Sequence, residues 1–430
     1  MSDLIKLDAT DLIAKVSSGT VKHRDVAEAY LERIAEKDGA IGAYIHTDPD
    51  LVRKSADARD KAEAGPLAGL PVGVKDVIDT VDMPTGYGSE AYAGRQPYWD
   101  APCVAQSKAA GALIMGKTVS TEFAMASSGK TRNPWNLAHT PGGSSSGSCA
   151  AVAAGLALMA FGTQTAGSII RPASFCGVVG YKPTFGLLEP AEVKVLAHSL
   201  DTLGLVTRNV RDAALAASVL AGRPSLKLPE DLPAAPKIGL FRTPPFDSAD
   251  PATVAALDLA VQRIEAAGGS VVEIDVPESF ITTHALHLAI MGWEVTRALS
   301  FERTVLWDQL TPVTRDFLTE KALVDAPAYD AACAALPKVA AELAEAMTDV
   351  DVLLAPSAPG TAPEGFASTG APMFNTPWTL LHMPALSVPA IVHDGLPVGV
   401  QVIGRVGEDA KTLAMAAFVE TCLDAPRELQ

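Results

Sequence analysis

Pro141-Gly142-Gly143-Ser144-Ser145-Ser146-Gly147-Ser148 is predicted to be a loop of glycines and hydroxyl-bearing residues. It leads directly into Cys149-Ala150-Ala151-Val152-Ala153-Ala154-Gly155, whose small apolar residues are typical of a closely packed helix rather than of a flexible linker. Glycines let backbone amides turn inward, and a helix N-terminus adds a positive field. The loop is therefore expected to hold an anion or to orient a hydroxyl. No Gly-Lys-Ser or Gly-Lys-Thr closes it, which argues against a phosphate loop.

A second candidate segment is Gly162-Thr163-Gln164-Thr165-Ala166-Gly167-Ser168-Ile169-Ile170-Arg171-Pro172. Here the small residues Ala166 and Gly167 would let backbone N–H groups gather beside Ser168, as an oxyanion hole requires. Taken alone, the segment is more typical of an ordinary turn that enters a strand.

A base for a serine nucleophile is the third requirement. Lys75 has the apolar neighbours Val72 and Val74, and burial would lower its pKa, although a surface lysine paired with Asp76 is the commoner arrangement. No Gly-x-Ser-x-Gly elbow indicates a Ser-His-Asp triad. Among the histidines, His284 and His287 lack the Glu of a zinc motif and are interpreted as structural, and His139 and His382 are minor candidates for a base.

Composition narrows the class of protein. The 430 residues are 48% hydrophobic, and the net charge of −16 with no basic block argues against nucleic acid as a partner. The longest apolar run, Cys149 to Phe161, spans about 13 residues, too few to cross a bilayer. Five cysteines without a CxxC pair favour reduced thiols in the cytoplasm and no zinc site. We expect no metal, no cofactor and no membrane partner.

The hydrophobic pattern along the chain predicts a mixed sheet wrapped by helices. After the Pro-rich connector 222–236 a β-α-β unit is indicated, and Asp394-Gly395 is typical of a hairpin turn. The other predicted elements are a helix over 149–159, a loop over 161–170, helices within 282–347, a strand over 351–355 and a closing helix over 408–423.

The run from Gly142 to Thr184 resembles the amidase signature. Supporting matches are Leu70-Pro71-Val72-Gly73-Val74-Lys75-Asp76, Glu122-Phe123-Ala124-Met125, Thr131-Arg132-Asn133-Pro134-Trp135-Asn136 and Gly395-Leu396-Pro397-Val398-Gly399-Val400-Gln401. The resemblance implies one α/β domain over 1–430, with a mixed, mostly parallel β-sheet covered by helices on both faces. It further implies a core of 60–222 and 345–425, and a variable substrate-side segment over 223–344.

The resemblance also assigns roles to individual residues. Lys75 corresponds to the base, Ser144 to a bridging serine on a cis peptide after Gly143, and Ser168 to the nucleophile. The implied oxyanion hole is formed by backbone N–H groups of Thr165, Ala166, Gly167 and Ser168. The implied substrate-binding residues are Gly143, Gln164 and Arg171.

Three positions depart from the usual family pattern: Gln164 replaces Asp, Ala166 replaces Gly, and the usual Arg at Ile170 is displaced to Arg171. This combination resembles short, malonamidase-like members, in which the displaced Arg binds a substrate carboxylate. The alternative is that Arg171 pairs with an internal acid.

The expected function is hydrolysis of a small carboxamide to carboxylate and ammonia through an acyl-serine, with malonamate as a possible type of substrate. One alternative is the amidase component of a glutamyl-tRNA(Gln) amidotransferase complex. Others are an allophanate-type substrate and a catalytically silent binding protein. The expected partners are the small amide itself and, as the family suggests, a second copy in a homodimer.

Overall fold

An eleven-stranded sheet runs through the part of the chain that the structure describes. A computed structural model describes residues 2–125 and 128–425. The strands are β1 (Tyr44–His46), β2 (Pro71–Lys75), β3 (Leu113–Thr118), β4 (Met159–Gln164), β5 (Val179–Lys182), β6 (Thr202–Thr207), β7 (Lys237–Leu240), β8 (Ser270–Glu273), β9 (Val352–Pro356), β10 (Ala385–His393) and β11 (Leu396–Ile403). Their order across the sheet is β1-β3-β2-β4-β6-β5-β10-β11-β9-β7-β8.

Helices flank this sheet, as predicted. They are α1 (Ser2–Lys6), α2 (Ala9–Ser17), α3 (His23–Ile41), α4 (Pro49–Arg59), α5 (Pro102–Ala109), α6 (Ser146–Ala153), α7 (Ile170–Cys176), α8 (Val210–Leu220), α9 (Pro251–Ala266), α10 (Thr283–Ala298), α11 (Ser300–Val305), α12 (Pro312–Lys321), α13 (Ala326–Ala346), α14 (Thr376–Leu380) and α15 (Asp409–Leu423). Among the described residues, no helix combines the length and apolar character that crossing a membrane requires.

The sheet is mixed, which confirms the predicted α/β class. Parallel pairing joins β3, β2 and β4 on one side and β9, β7 and β8 on the other. Across the centre, antiparallel pairing runs from β4 through β6, β5, β10 and β11 to β9. The edge pair of β1 with β3 is also antiparallel. The antiparallel share is larger than the resemblance implied, because the hairpin β10–β11 and the strands β5 and β6 fill the middle.

The parallel pair β2–β4 places the site. Val72 pairs with Met159 and Gly73 with Ala160, so both strands run toward the same edge of the sheet. Lys75 is the last residue of β2, and the segment that contains Ser168 begins where β4 ends. Parallel strands bring their carboxyl ends together, so two residues 93 positions apart in the chain reach one edge.

The glycine- and serine-rich loop ends in α6, which is buried along its whole length. A Cβ on Gly147 would lie 2.2 Å from the carbonyl oxygen of Ala43, so only glycine allows this approach. The predicted helix over 149–159 is wrong in its second half. Helix α6 ends at Ala153, Gly155 at φ 69° follows, and β4 then occupies the start of the predicted loop 161–170. Small apolar residues buried on all sides carry no period that separates helix from strand.

The segment 223–344 contributes to the same sheet. Strands β7 and β8 pair in parallel through α9, which confirms the predicted β-α-β unit, and helices α10 to α13 follow. The hairpin at Asp394-Gly395 is also confirmed, with His393 paired to Leu396. The division into a core and a variable substrate-side segment stays a prediction.

Two apolar clusters hold the site's supports in place. The larger packs α3, α6, α8, α9 and α15 against the sheet. The smaller contains Phe241, Phe280 and Trp378, whose rings lie 4.9 to 5.4 Å apart between centroids. Trp378 belongs to α14, so this cluster anchors the helix that contacts the loop after β4.

Candidate active site

Lys75 is fully buried at the end of β2. Its Nζ lies 2.7 Å from Ser144 Oγ and 2.7 Å from Thr163 Oγ1. Burial lowers the pKa of Lys75 to about 7, against the opposing effects of Cys149 and Asp201. The amine is therefore uncharged in a large fraction of molecules at neutral pH, as a base must be.

The alternative of a surface lysine paired with Asp76 is wrong. Asp76 instead lies 3.6 Å from the buried Lys117 and accepts backbone N–H groups of Gly86 and Gly88. The neighbouring strand thus supplies the cation for this carboxylate, which leaves Lys75 without an acidic partner in the described chain.

Ser144 follows Gly143 through a cis peptide bond, as the resemblance implied. Its side chain is buried, and its carbonyl oxygen accepts the N–H of Thr121 at 3.4 Å. The hydrogen bond between Lys75 and Ser144 joins this cis-peptide loop to the end of β2.

Ser168 lies four residues beyond the end of β4 and is 9% exposed. Its carbonyl oxygen accepts the N–H of Ser145 at 3.3 Å, which ties this segment to the cis-peptide loop. Within the described residues its Oγ makes no hydrogen bond, to Ser144 or to any other group. The structure joins Lys75 to Ser144 directly and ties Ser168 to Ser145, the next residue along, through the backbone.

The loop Thr165–Ser168, here called the oxyanion loop, has every carbonyl oxygen held by a donor. Two donors are side chains from distant helices, and two are backbone N–H groups. His287 Nε2 contacts Thr165 O at 2.8 Å, Thr379 Oγ1 donates to Ala166 O at 2.9 Å, Arg171 N donates to Gly167 O at 3.0 Å and Ser145 N donates to Ser168 O at 3.3 Å.

This arrangement leaves the N–H groups of the loop unused. None of the amides of residues 165–168 donates a hydrogen bond within the described chain. The peptide bonds here are trans and planar, so each N–H points away from the carbonyl of the residue before it. The amides of Ala166, Gly167 and Ser168 are thus turned away from the donors and stay available to an acceptor such as a developing oxyanion.

Gln164 has a structural position that corrects its predicted contact with substrate. The side chain is fully buried, and its Oε1 accepts the N–H groups of Ile169 and Ile170 at 2.8 and 3.0 Å. Its Nε2 donates to Thr379 Oγ1 at 3.0 Å. The amide closes the loop onto the start of α7, and its full burial keeps it away from a ligand.

Arg171 is buried, and no acid in the described part of the chain pairs with it. Its Nε donates to Thr369 O at 2.8 Å, and its Nη2 donates to Gly143 O at 2.7 Å and to Thr369 Oγ1 at 3.1 Å. Burial alone lowers its pKa to about 10. The alternative of an internal acidic partner is therefore wrong. Gly143, predicted to bind substrate, uses its carbonyl oxygen to hold this guanidinium.

A comparison with known proteins fits this geometry. A family profile described as Amidase matches residues 25–413. The chain belongs to the amidase signature family. A glutamyl-tRNA(Gln) amidotransferase subunit from Thermobifida fusca (strain YX) is 34% identical over 483 residues, covering 98% of this chain and 97% of that protein.

Solved structures of the family are similar throughout. An amidase is 30% identical with a TM-score of 0.87, covering 97% of this chain and 100% of that one. The native peptide amidase from Stenotrophomonas maltophilia is 30% identical with a TM-score of 0.82, covering 98% of both chains. Members of the amidase signature family are amidohydrolases that act on C–N bonds, and this chain is an enzyme of that class.

Several supports of this amidase site were not predicted. Thr163 contacts Lys75, Thr379 and His287 hold the oxyanion loop, and Asn375 packs against Gly167. The sequence indicated only a structural role for His287. Of the minor candidates for a base, His139 contacts Ala362 O and His382 contacts Ser199 O, and neither bonds to a serine hydroxyl.

A cavity of about 360 Å³ lies beside Asp76 and is not the amidase site. Its lining includes Gly88, Ser120 and Lys130 but not Lys75, Ser144 or Ser168. The Asp76 carboxylate is already engaged by Lys117 and backbone N–H groups. The described chain holds no group of three or more His, Cys, Asp or Glu side chains placed to bind a metal ion.

Proposed function

We propose that the protein hydrolyses a short primary amide that carries a carboxylate, such as malonamate, and releases ammonia. The observation that carries this proposal is the buried Arg171, which has no acidic partner in the described chain and binds Gly143 O next to Ser144. A buried cation without a counter-ion is unfavourable, and a substrate carboxylate would supply the missing charge. The Nη1 group makes no hydrogen bond within the described residues and is the natural donor to it.

The catalytic sequence starts from neutral Lys75. It takes the proton of Ser144 as Ser144 takes the proton of Ser168, and Ser168 Oγ attacks the amide carbonyl. Backbone N–H groups of the oxyanion loop stabilise the negative oxygen of the tetrahedral intermediate. The proton returns along the same path to the leaving nitrogen, the C–N bond breaks and ammonia departs. Water then repeats the attack on the acyl-serine, which frees the acid and restores both serines.

The decisive experiment compares malonamate with malonamide, which have nearly the same shape and differ in one carboxylate. We expect Arg171→Gln to lower kcat/KM on malonamate by about 10- to 100-fold, in line with a charged hydrogen bond. The loss on malonamide should be several-fold smaller. Equal losses on both substrates would reject the carboxylate role.

Arg132→Gln is the matched control. Arg132 also donates to a backbone carbonyl, that of Leu137, but is exposed and has no contact with the proposed site residues. Its substitution should leave both rates and their ratio unchanged.

A second candidate is the amidase component of a glutamyl-tRNA(Gln) amidotransferase. The specific observation in its favour is the 34% identity to such a protein over 98% of the chain. Against it, the aligned stretch spans 483 positions, more than the 430 residues of this chain, so the relative carries segments absent here. Glutamine also bears a carboxylate, so Arg171 does not separate the two candidates.

Assays of the purified chain alone separate them. We expect ammonia release from malonamate without any partner, and a homodimer by gel filtration with light scattering. Activity that appears only on glutamine, and only with added partner proteins, would favour the amidotransferase. An allophanate arm in the same panel tests the urea-derived alternative.

A further inference from the structure

Helix α10, in the segment 223–344, reaches the oxyanion loop through one side chain. His287 is 1% exposed, and its Nε2 lies 2.8 Å from Thr165 O. A carbonyl oxygen only accepts, so Nε2 must carry the proton. Nδ1 is then the unprotonated nitrogen, and it is buried without a hydrogen-bond partner among the described groups. The contact with Thr165 is therefore the ring's one polar anchor.

We propose that His287 is a positioning residue for the oxyanion hole, which holds Thr165 O so that the Ala166 N–H stays directed at the reacting carbonyl. This inference rests on the proposed role of Ser168 as nucleophile. The Thr165 carbonyl and the Ala166 N–H belong to one planar trans peptide, so fixing the oxygen fixes the direction of the hydrogen.

A second contact fixes the same residue from its side chain. Thr165 Oγ1 donates to Asp201 Oδ1 at 2.6 Å, while Asp201 Oδ2 accepts the N–H groups of Leu196 and Ala197 at 2.7 and 3.0 Å. Thr165 is thus held at two points, and among the hydrogen bonds of the described residues only the one from His287 acts directly on the Thr165–Ala166 peptide. A hydrogen-bond donor displaced by about 1 Å loses much of its effect on a transition state.

His287 acts as an uncharged donor. Its pKa is lowered to about 4, mainly by burial, which the hydrogen bond to Thr165 O opposes and the nearby His284 and Lys321 reinforce. The ring therefore keeps one proton, on Nε2, across the pH range in which Lys75 titrates. His287 should add no step of its own to the pH–rate profile.

The test uses two amide side chains of different length. In His287→Gln the amide nitrogen takes the place of Nε2 and can still reach Thr165 O, whereas in His287→Asn it takes the place of Nδ1 and cannot. We expect kcat of the Gln variant to stay within about 3-fold of wild type. The kcat of the Asn variant should fall by about 10- to 100-fold, a smaller decrease than removal of an oxyanion-hole donor causes. KM should change little in either variant.

His284→Gln is the matched control, because His284 lies one turn earlier on α10 with an exposed side chain. Circular dichroism checks that each variant is folded. Equal kcat values for the Gln and Asn variants, or a change confined to thermal stability, would overturn the inference. A different result would reject the proposed function. If Ser168→Ala keeps wild-type turnover, Ser168 is not the nucleophile, whatever the His287 variants show.

Discussion

The amine of Lys75 and the hydroxyl of Ser144 are in direct contact, at 2.7 Å between Nζ and Oγ. The two residues come from different elements, one from the end of a buried strand and the other from the loop before α6. Thr163 occupies a second side of the same amine, and no carboxylate contacts it in the described chain. If this amine is the base, as proposed, its charge state should control turnover.

The pH dependence of kcat/KM should report the Lys75 amine. Its pKa is lowered to about 7, so the amine is protonated and inactive at pH 5.5 and mostly neutral at pH 8.5. Activity is expected to rise with pH through about 7 and then level off. Lys75→Met should lower kcat/KM by about 10²- to 10⁴-fold and remove the rise of kcat/KM with pH. An unchanged rise in the Met variant would assign the titration to another group.

Substitution of Ser168 and substitution of Ser144 should leave different residual activities. Ser168→Ala is expected to abolish turnover and the acyl-enzyme, because no nucleophile remains. Ser144→Ala should be severe but less complete, since Ser168 persists. Mass spectrometry after rapid quenching detects the acyl adduct directly. Ser146→Ala is the matched control, because the one hydrogen bond of that hydroxyl within the described residues is to Val119 O. An adduct on Ser168→Ala protein would place the nucleophile elsewhere.

Gly167 should not tolerate a side chain. A Cβ there would lie 2.5 Å from Asn375 Oδ1, closer than van der Waals contact allows. We expect Gly167→Ala to lower kcat by about 10²-fold through displacement of the oxyanion loop. Adding Asn375→Ala removes the obstructing atom and should recover part of the loss. Strictly multiplicative losses in the double variant would show that the two residues do not clash.

Gln164 is expected to matter for stability and not for selectivity. Gln164→Leu leaves two buried N–H groups, of Ile169 and Ile170, without their acceptor. The free energy of unfolding should fall by about 1–3 kcal/mol. Urea denaturation measures this, and the malonamate-to-malonamide ratio of kcat/KM should stay at the wild-type value. A changed ratio would restore Gln164 as a substrate contact.

The sequence predicted the three proposed catalytic residues through the family resemblance and not from their local patterns. Taken alone, Lys75 was more typical of a surface residue, and Ser168 of an ordinary turn. What distinguishes Lys75 is burial by β3 and β4, which local sequence does not encode. The class of fold followed from alternating patterns, whereas the boundary between α6 and β4 did not, because uniformly small apolar residues suit both.

The supports of the oxyanion loop were beyond prediction for a different reason. His287 and Thr379 lie 122 and 213 residues from their partners, and neither belongs to a motif. Gln164 and Arg171 were singled out as departures from the family pattern, but their contacts were not foreseen. Their contacts depend on which loops fold over them, here the one that carries Thr369.

The contact between α10 and Thr165 has a consequence for protein engineering. Because the segment 223–344 is predicted to be variable and to face the substrate, an engineer could replace it with the same segment of a relative to change substrate preference. Such an exchange would also remove the His287 imidazole, which contacts Thr165 O in the oxyanion loop. A donor segment therefore needs a hydrogen-bonding side chain at the position that corresponds to His287 on α10, or the chimera will bind its new substrate and turn it over slowly.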